Sequence, residues 1–188
     1  MILQIKVGTM KNFCYLVWDE QTRDAAVIDP GFEVGKITDK IKGLGLRVRY
    51  ILLTHLHFDH ATEVRELKRF TNAKVIVNKK EDESEFADIF VKDEDIFKIG
   101  NKEIKIIETP GHTKGSVCYL FEDAIFTGDT LFIGGIYGRT DFGGNEKELK
   151  ESLNKIFNID ENLKVYPGHD YGKVSVSTIK KEKEFFRD

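Results

Sequence analysis

Three histidines and an aspartate lie within the seven residues Thr54 to His60, "THLHFDH", in a chain of 188 residues with only five histidines. The other two, His112 and His169, each close a Pro-Gly-His triplet, Pro110–His112 and Pro167–His169. Neutral imidazole nitrogen and carboxylate oxygen are ordinary ligands of zinc, manganese and iron. His55 and His57, two apart in a tight turn, can reach one ion from one side. Asp59 and His60 follow at once but point differently, so they can serve a second ion. A second cation would also offset repulsion between nearby carboxylates. By composition alone, His-x-His-x-Asp-His arises roughly once in a few thousand such chains. Metal binding is therefore the expectation.

The elements that must position these residues are legible as strand-like runs. "RYILLT" leads into His55, "KEIKIIETPG" into His112, "AIFTG" into Asp129 and "KVYPG" into His169. Ligands of open α/β sheets gather beyond the carboxyl ends of strands. The five imidazoles and Asp129 are thus expected to converge on one pocket. "ILQIKV", "FCYLVW", "AAVID", "AKVIVN" and "GSVCYLF" read as further strands. Helices are predicted from about 34 to 44, from about 61 to 70 with Val64, Leu67 and Phe70 on one side, and from Thr178 onward. "NEKELKESLNKIF" is a helix capped by Asn145, with Leu149, Leu153, Ile156 and Phe157 on one face. The acidic, weakly periodic stretch "KKEDESEFADIFVKDED" reads as a surface excursion.

Composition sets the frame. A hydrophobic fraction of 40%, a charged fraction of 32% and a net charge of −3 describe a globule with a core. They give no electrostatic footing for nucleic acid or an anionic membrane. No signal-peptide pattern and no run of eighteen apolar residues occurs, so a cytoplasmic protein is expected. No linker divides the chain, which predicts one domain over residues 1–188. Cys14 and Cys118 sit in apolar runs without a CxxC, as buried thiols of a reducing compartment do; sequence leaves a disulfide between them open.

"HLHFDH" with the later "TPGHT", "GDT" and "PGH" resembles the metallo-β-lactamase superfamily, in order and from about Asp29 to His169. The resemblance implies an α/β fold, an αββα sandwich of two mixed β-sheets flanked by helices, with metals at one edge. It implies His55, His57 and His112 as ligands of a first metal, Asp59, His60 and His169 of a second, and Asp129 bridging. Lactamases with a three-residue second site generally carry cysteine where this chain has Asp129, which argues against β-lactamase activity. Ala61-Thr62-Glu63 stands where many relatives carry a glycine, a departure that bears on the start of the following helix. "GDTLFIGGIYGRTDFGG" and "PGHDYG" resemble the branch of glyoxalase II-like hydrolases and persulfide dioxygenases. Glyoxalase II carries an extra C-terminal helical region with basic residues for glutathione, which this sequence is expected to lack.

Two functions follow as expectations. The first is a metal-dependent hydrolase of a thioester, hydroxyacylglutathione hydrolase-like, using hydroxide activated by two divalent ions, with zinc expected and iron or manganese as alternatives. Asp59 and Asp129 are its catalytic carboxylates. A thiol can depart without a general acid, and no spare acid is visible among the motifs. The second is a persulfide dioxygenase with one iron on His55, His112 or His57, and Asp129, the two-histidine, one-carboxylate pattern. Tyr137, Arg139 and Tyr171 are candidate contacts for a small-molecule substrate such as a glutathione conjugate. Asp29, ending a strand, is a candidate to orient a ligand. Glycines 134, 135, 143 and 144 are read as giving loop freedom.

Overall fold

The computed structural model describes residues 1–81 and 85–186. Twelve strands and five helices follow one another: β1 (Ile2–Val7), β2 (Asn12–Trp18), β3 (Asp24–Ile28), α1 (Val34–Gly43), β4 (Arg47–Leu52), α2 (Phe58–Ala61), α3 (Val64–Thr71), β5 (Lys74–Asn78), β6 (Ile89–Val91), β7 (Ile96–Ile99), β8 (Lys102–Glu108), β9 (Val117–Phe121), β10 (Ala124–Gly128), α4 (Glu146–Phe157), β11 (Lys164–Pro167), β12 (Ser177–Thr178) and α5 (Ile179–Glu184).

The strands form two six-stranded sheets, β1-β2-β3-β4-β5-β6 and β12-β11-β10-β9-β8-β7. Both are mixed. In the first, β1–β3 pair antiparallel and β3–β6 parallel. In the second, only the β10–β11 pairing is parallel.

Strand β2 shows why the sheets stack. All seven of its residues are buried, because it is covered on both faces. Cys14, Leu16 and Trp18 join the core beneath α1 and α3, whereas Phe13, Tyr15 and Val17 join the core between the sheets. A period of two sends alternate side chains to opposite faces, so a strand buried on both reads as an unbroken apolar run. A third core lies under α4 and α5, built on Ile125, Leu149, Leu153, Ile156 and Ile179. Three cores between four layers give the expected αββα sandwich.

The structure differs from expectation at three places. The helix predicted from about 61 breaks at Thr62–Glu63 into α2 and α3, because the Glu63 amide donates to Pro30 O, 3.2 Å away, instead of continuing the helix. Phe70 does not face the core with Val64 and Leu67; it is exposed, with the Lys42 ammonium 5.0 Å from its ring. The acidic excursion contains β6, and β7 follows it; residues 82–84 of that stretch lie outside the described residues. Both cysteines are buried and free. Among the described residues, no helix is long and apolar enough to cross a membrane.

Candidate metal centre

Loops leaving the carboxyl ends of strands in both sheets meet at one edge of the sandwich. Asp29 follows β3, and His55, His57 and His60 follow β4. His112 lies beyond β8, Asp129 directly after β10 and His169 beyond β11. All five histidines and the two aspartates Asp59 and Asp129 are brought together. Three groups have ligand atoms lying within 4.8 Å of one another: His55, His57 and His112; His55, His60 and Asp129; and Asp59, His60 and His169.

Distances within the cluster are short. His57 Nδ1 lies 2.9 Å from His112 Nε2, and His60 Nε2 lies 3.3 Å from His169 Nε2. Asp129 sits between: Oδ1 is 3.3 Å from His60 Nε2, and Oδ2 is 3.4 Å from His169 Nε2 and 3.6 Å from His112 Nε2. Asp59 Oδ2 is 3.3 Å from His169 Nε2.

The hydrogen bonds behind the imidazoles decide which nitrogens are free. His112 Nδ1 is 2.6 Å from Arg139 O and His169 Nδ1 is 2.9 Å from Met10 O. A carbonyl can only accept, so both Nδ1 atoms carry hydrogen and both Nε2 atoms face the cluster. His60 Nδ1 donates to Asp29 Oδ2 at 3.0 Å, with the same result. His55 Nδ1 pairs with Thr54 Oγ1 at 3.1 Å, leaving its Nε2 inward. His57 alone turns Nδ1 inward. Such backing is how metal-binding histidines are oriented.

Two buried atoms of the cluster, His55 Nε2 and Asp129 Oδ1, have no hydrogen-bond partner. The His60 contact to Asp129 Oδ1 misses hydrogen-bond geometry. Buried polar groups are otherwise almost always satisfied. An unpartnered nitrogen and oxygen, in a group that also contains His60, fit a cation between them.

Electrostatics distinguishes the two sides. Burial pushes His55 well down, with His60 adding to it, and burial and the neighbouring His112 lower His57. Burial alone would lower His60 too, but the carboxylates of Asp129 and Asp29 override it and hold it well above the ordinary range. His169, despite burial, is pushed up to about 9 by Asp129 and Asp59. Burial works against ionisation of Asp129 and Asp59, yet the facing histidines hold both below the usual carboxylate range.

Asp29, the candidate to orient a ligand, and two residues given no role in the sequence, Asn12 and Glu182, complete the frame. Asp29, at φ 51°, accepts from Thr54 N at 2.8 Å and Thr54 Oγ1 at 2.7 Å as well as from His60. Asn12 Nδ2 donates to Asp59 Oδ2 at 3.0 Å and to Asp59 O at 3.1 Å. A polar residue opening the otherwise apolar run "NFCYLVW" was its only signal. Glu182 of α5 is buried and accepts from Gly134 N at 2.7 Å and Gly135 N at 3.1 Å. Its signal was the helical spacing from Ile179, which puts both on the buried face. Gly134 and Gly135 are therefore pinned, not free, although their φ of 91° and 74° needs glycine. Gly168 admits close approach: a Cβ there would lie 2.4 Å from Asp129 Oδ1.

Of the candidate substrate contacts, Tyr171 stacks on His169, ring centroids 4.8 Å apart and 8° from parallel. Tyr137 is exposed. The Arg139 side chain pairs with Asp141, and it is the Arg139 carbonyl that touches His112.

Comparison with known proteins agrees with this geometry. The model of the metallo-β-lactamase superfamily matches residues 7–169. A probable polyketide biosynthesis zinc-dependent hydrolase, PksB of Bacillus subtilis, is 38% identical over 90% of this chain and 77% of its own. The hydroxyacylglutathione hydrolase of Pelagibacter ubique is 39% identical, covering 92% and 72%. The mitochondrial persulfide dioxygenase ETHE1 of Homo sapiens is 37% identical, covering 92% and 69%. Among solved structures, ETHE1 from Myxococcus xanthus superposes with a TM-score of 0.92 at 34% identity, covering 98% and 82%. The chain belongs to the metallo-β-lactamase superfamily.

Proposed function

We propose that this member of the metallo-β-lactamase superfamily is a metal-dependent hydrolase of thioesters, with residues 1–188 acting as one catalytic domain. One observation carries the reading. The Asp129 carboxylate lies against imidazoles of both triads, Oδ2 being 3.6 Å from His112 Nε2 and 3.4 Å from His169 Nε2. A carboxylate so placed suits two neighbouring cations. His55, His57 and His112 hold the first, Asp59, His60 and His169 the second, and Asp129 both. Zinc is the proposed metal, in line with the probable zinc-dependent hydrolase PksB of Bacillus subtilis.

Two bound divalent cations would polarise a carbonyl and lower the pKa of water towards ~7. The chain's own residues choose the leaving group. Asp59 and Asp129 are held ionised below the usual range, so neither has a proton to give near neutral pH. An amine or alkoxide would need one; a thiol of pKa about 8.5 leaves as thiolate without it. Thioester and water then give carboxylic acid and thiol. An S-acyl glutathione is one substrate of this class, supported by the Pelagibacter relative. Tyr171 on His169, and Tyr137 and Arg139 on the loop after Asp129, are its proposed contacts.

Protein loaded with zinc should bind two ions per chain and hydrolyse S-acyl glutathione without oxygen. A His169→Ala variant retaining full rate would overturn the two-cation reading. A mono-iron persulfide dioxygenase is the second reading. The human relative supports it; His55, with His112 or His57, and Asp129 would hold its one iron, and Asp129 Oδ2 lies 3.6 Å from His112 Nε2. One iron per chain, with oxygen consumed on glutathione persulfide and no thioester hydrolysis, would establish it instead.

A further inference from the structure

Three phenylalanines lie around His57 and its neighbour, two from loops and Phe58 from the first turn of α2. Phe58 follows His57 directly, Phe32 from the β3–α1 loop meets it edge-on at 6.4 Å, and Phe142 meets the His57 ring edge-on at 6.4 Å. Phe142 and Phe58 are the two most exposed large apolar side chains among the described residues, at 67% and 64%. Apolar exposure gathered at one place marks a binding surface, whereas scattered single residues do not. The charge nearest this lip is spent: the Arg139 guanidinium stacks over Phe142 at 5.5 Å and pairs with Asp141. The lip therefore offers aromatic surface whose nearest guanidinium already has a carboxylate partner. Phe142 lies against His57, which turns Nδ1 into the cluster, so a chain attached to the reacting group can reach this surface.

We propose that the substrate's acyl group is an uncharged apolar chain lying over Phe58 and Phe142, so that medium-chain acyl thioesters are preferred over short ones. This rests on the thioester reading above and narrows it. Each methylene withdrawn from water contributes roughly fourfold in binding when fully buried; on an open lip a smaller factor applies.

The test compares acetyl and octanoyl thioesters of N-acetylcysteamine on zinc-loaded protein, since the two share one thiol. The octanoyl ester should have at least a tenfold higher kcat/KM. The F58S/F142S double variant should bring that ratio towards one; both side chains are exposed, so the fold does not depend on them. Phe70→Ser serves as control, because Phe70 lies with Lys42 and Arg47 at the opposite end of β4. It should leave the ratio unchanged. Calorimetry with the unreactive S-octyl and S-methyl thioethers of N-acetylcysteamine reads binding without chemistry. Tighter octyl binding that the double variant abolishes, with neither ester hydrolysed, would keep the apolar lip and remove the thioester reaction. Equal hydrolysis of both esters by the unaltered protein would keep the reaction and overturn the lip. A double variant that turns a dimer into a monomer with the ratio intact would assign the surface to a second copy, and overturns it as well.

Discussion

The two triads on either side of Asp129 are built differently. His55, His57 and His112 form a group of imidazoles backed by a hydroxyl and a carbonyl, and burial keeps His55 and His57 neutral. Asp59, His60 and His169 include a carboxylate, with Asp29 behind His60, and the acids keep protons on both histidines when no cation is present. His55 and His57 present lone pairs as they stand. His60 and His169 must give up protons to do so, because ligand histidines coordinate as neutral imidazoles. Similar residue types thus yield one group in which burial disfavours protons on His55 and His57 and one in which carboxylates favour them on His60 and His169.

Removing the residue between the triads should have the largest effect. Asp129→Ala is expected to lower hydrolysis by roughly 10³-fold or more, the equivalent of about 4 kcal/mol. Elemental analysis should show both cations weakened; loss of only one would mean that Asp129 does not bridge. Next comes Asp29→Ala, which strips the partner from His60. Orienting partners are worth about 10- to 100-fold in metal affinity, and the loss should fall on the second cation far more than the first. Equal loss at both would erase the distinction between the triads.

The protons of the second triad give a pH test on chelated protein. A folded-state pKa raised to about 9 for His169 contributes stability that is full below the ordinary value and is lost as pH climbs through about 9. The shift corresponds to at most roughly 3 kcal/mol, or a fall in Tm of about 6–12 °C at this size. Metal-free protein should therefore melt progressively lower from about pH 6.5 to 9, and zinc-loaded protein should not follow. A flat Tm in the metal-free form would show that the acids do not hold the proton. The smallest effect is expected at Glu182, which touches neither triad but pins the loop running from Asp129 to the Arg139 carbonyl behind His112. Glu182→Ala leaves the Gly134 and Gly135 amides unpaired, at about 1–3 kcal/mol. Glu182→Gln, which keeps an acceptor, should restore most of the melting temperature.

Much of this could be read before the fold was seen, and the misses share a cause. Strand β2 and helix α4 were legible because burial writes itself as an apolar run or a 3.6-residue stripe. β6 and β7 were not, since short edge strands, half exposed and set among acids, carry no such pattern. The α2–α3 break depends on a bond to Pro30, which local sequence does not announce. Phe70 has the spacing of a core residue, but its position at the end of α3 leaves it beside Lys42 in solvent.

The residue types and their places at strand ends are fixed by sequence, because strand periodicity and ligand chemistry are local properties. Which nitrogen His60, His112 and His169 turn inward was settled only by tertiary structure. The deciding partners come from far along the chain, Arg139 O lying 27 residues from His112 and Met10 O 159 residues from His169. An imidazole has two equivalent-looking nitrogens in a sequence. Only a hydrogen bond from a distant segment makes one a donor and leaves the other free for a cation.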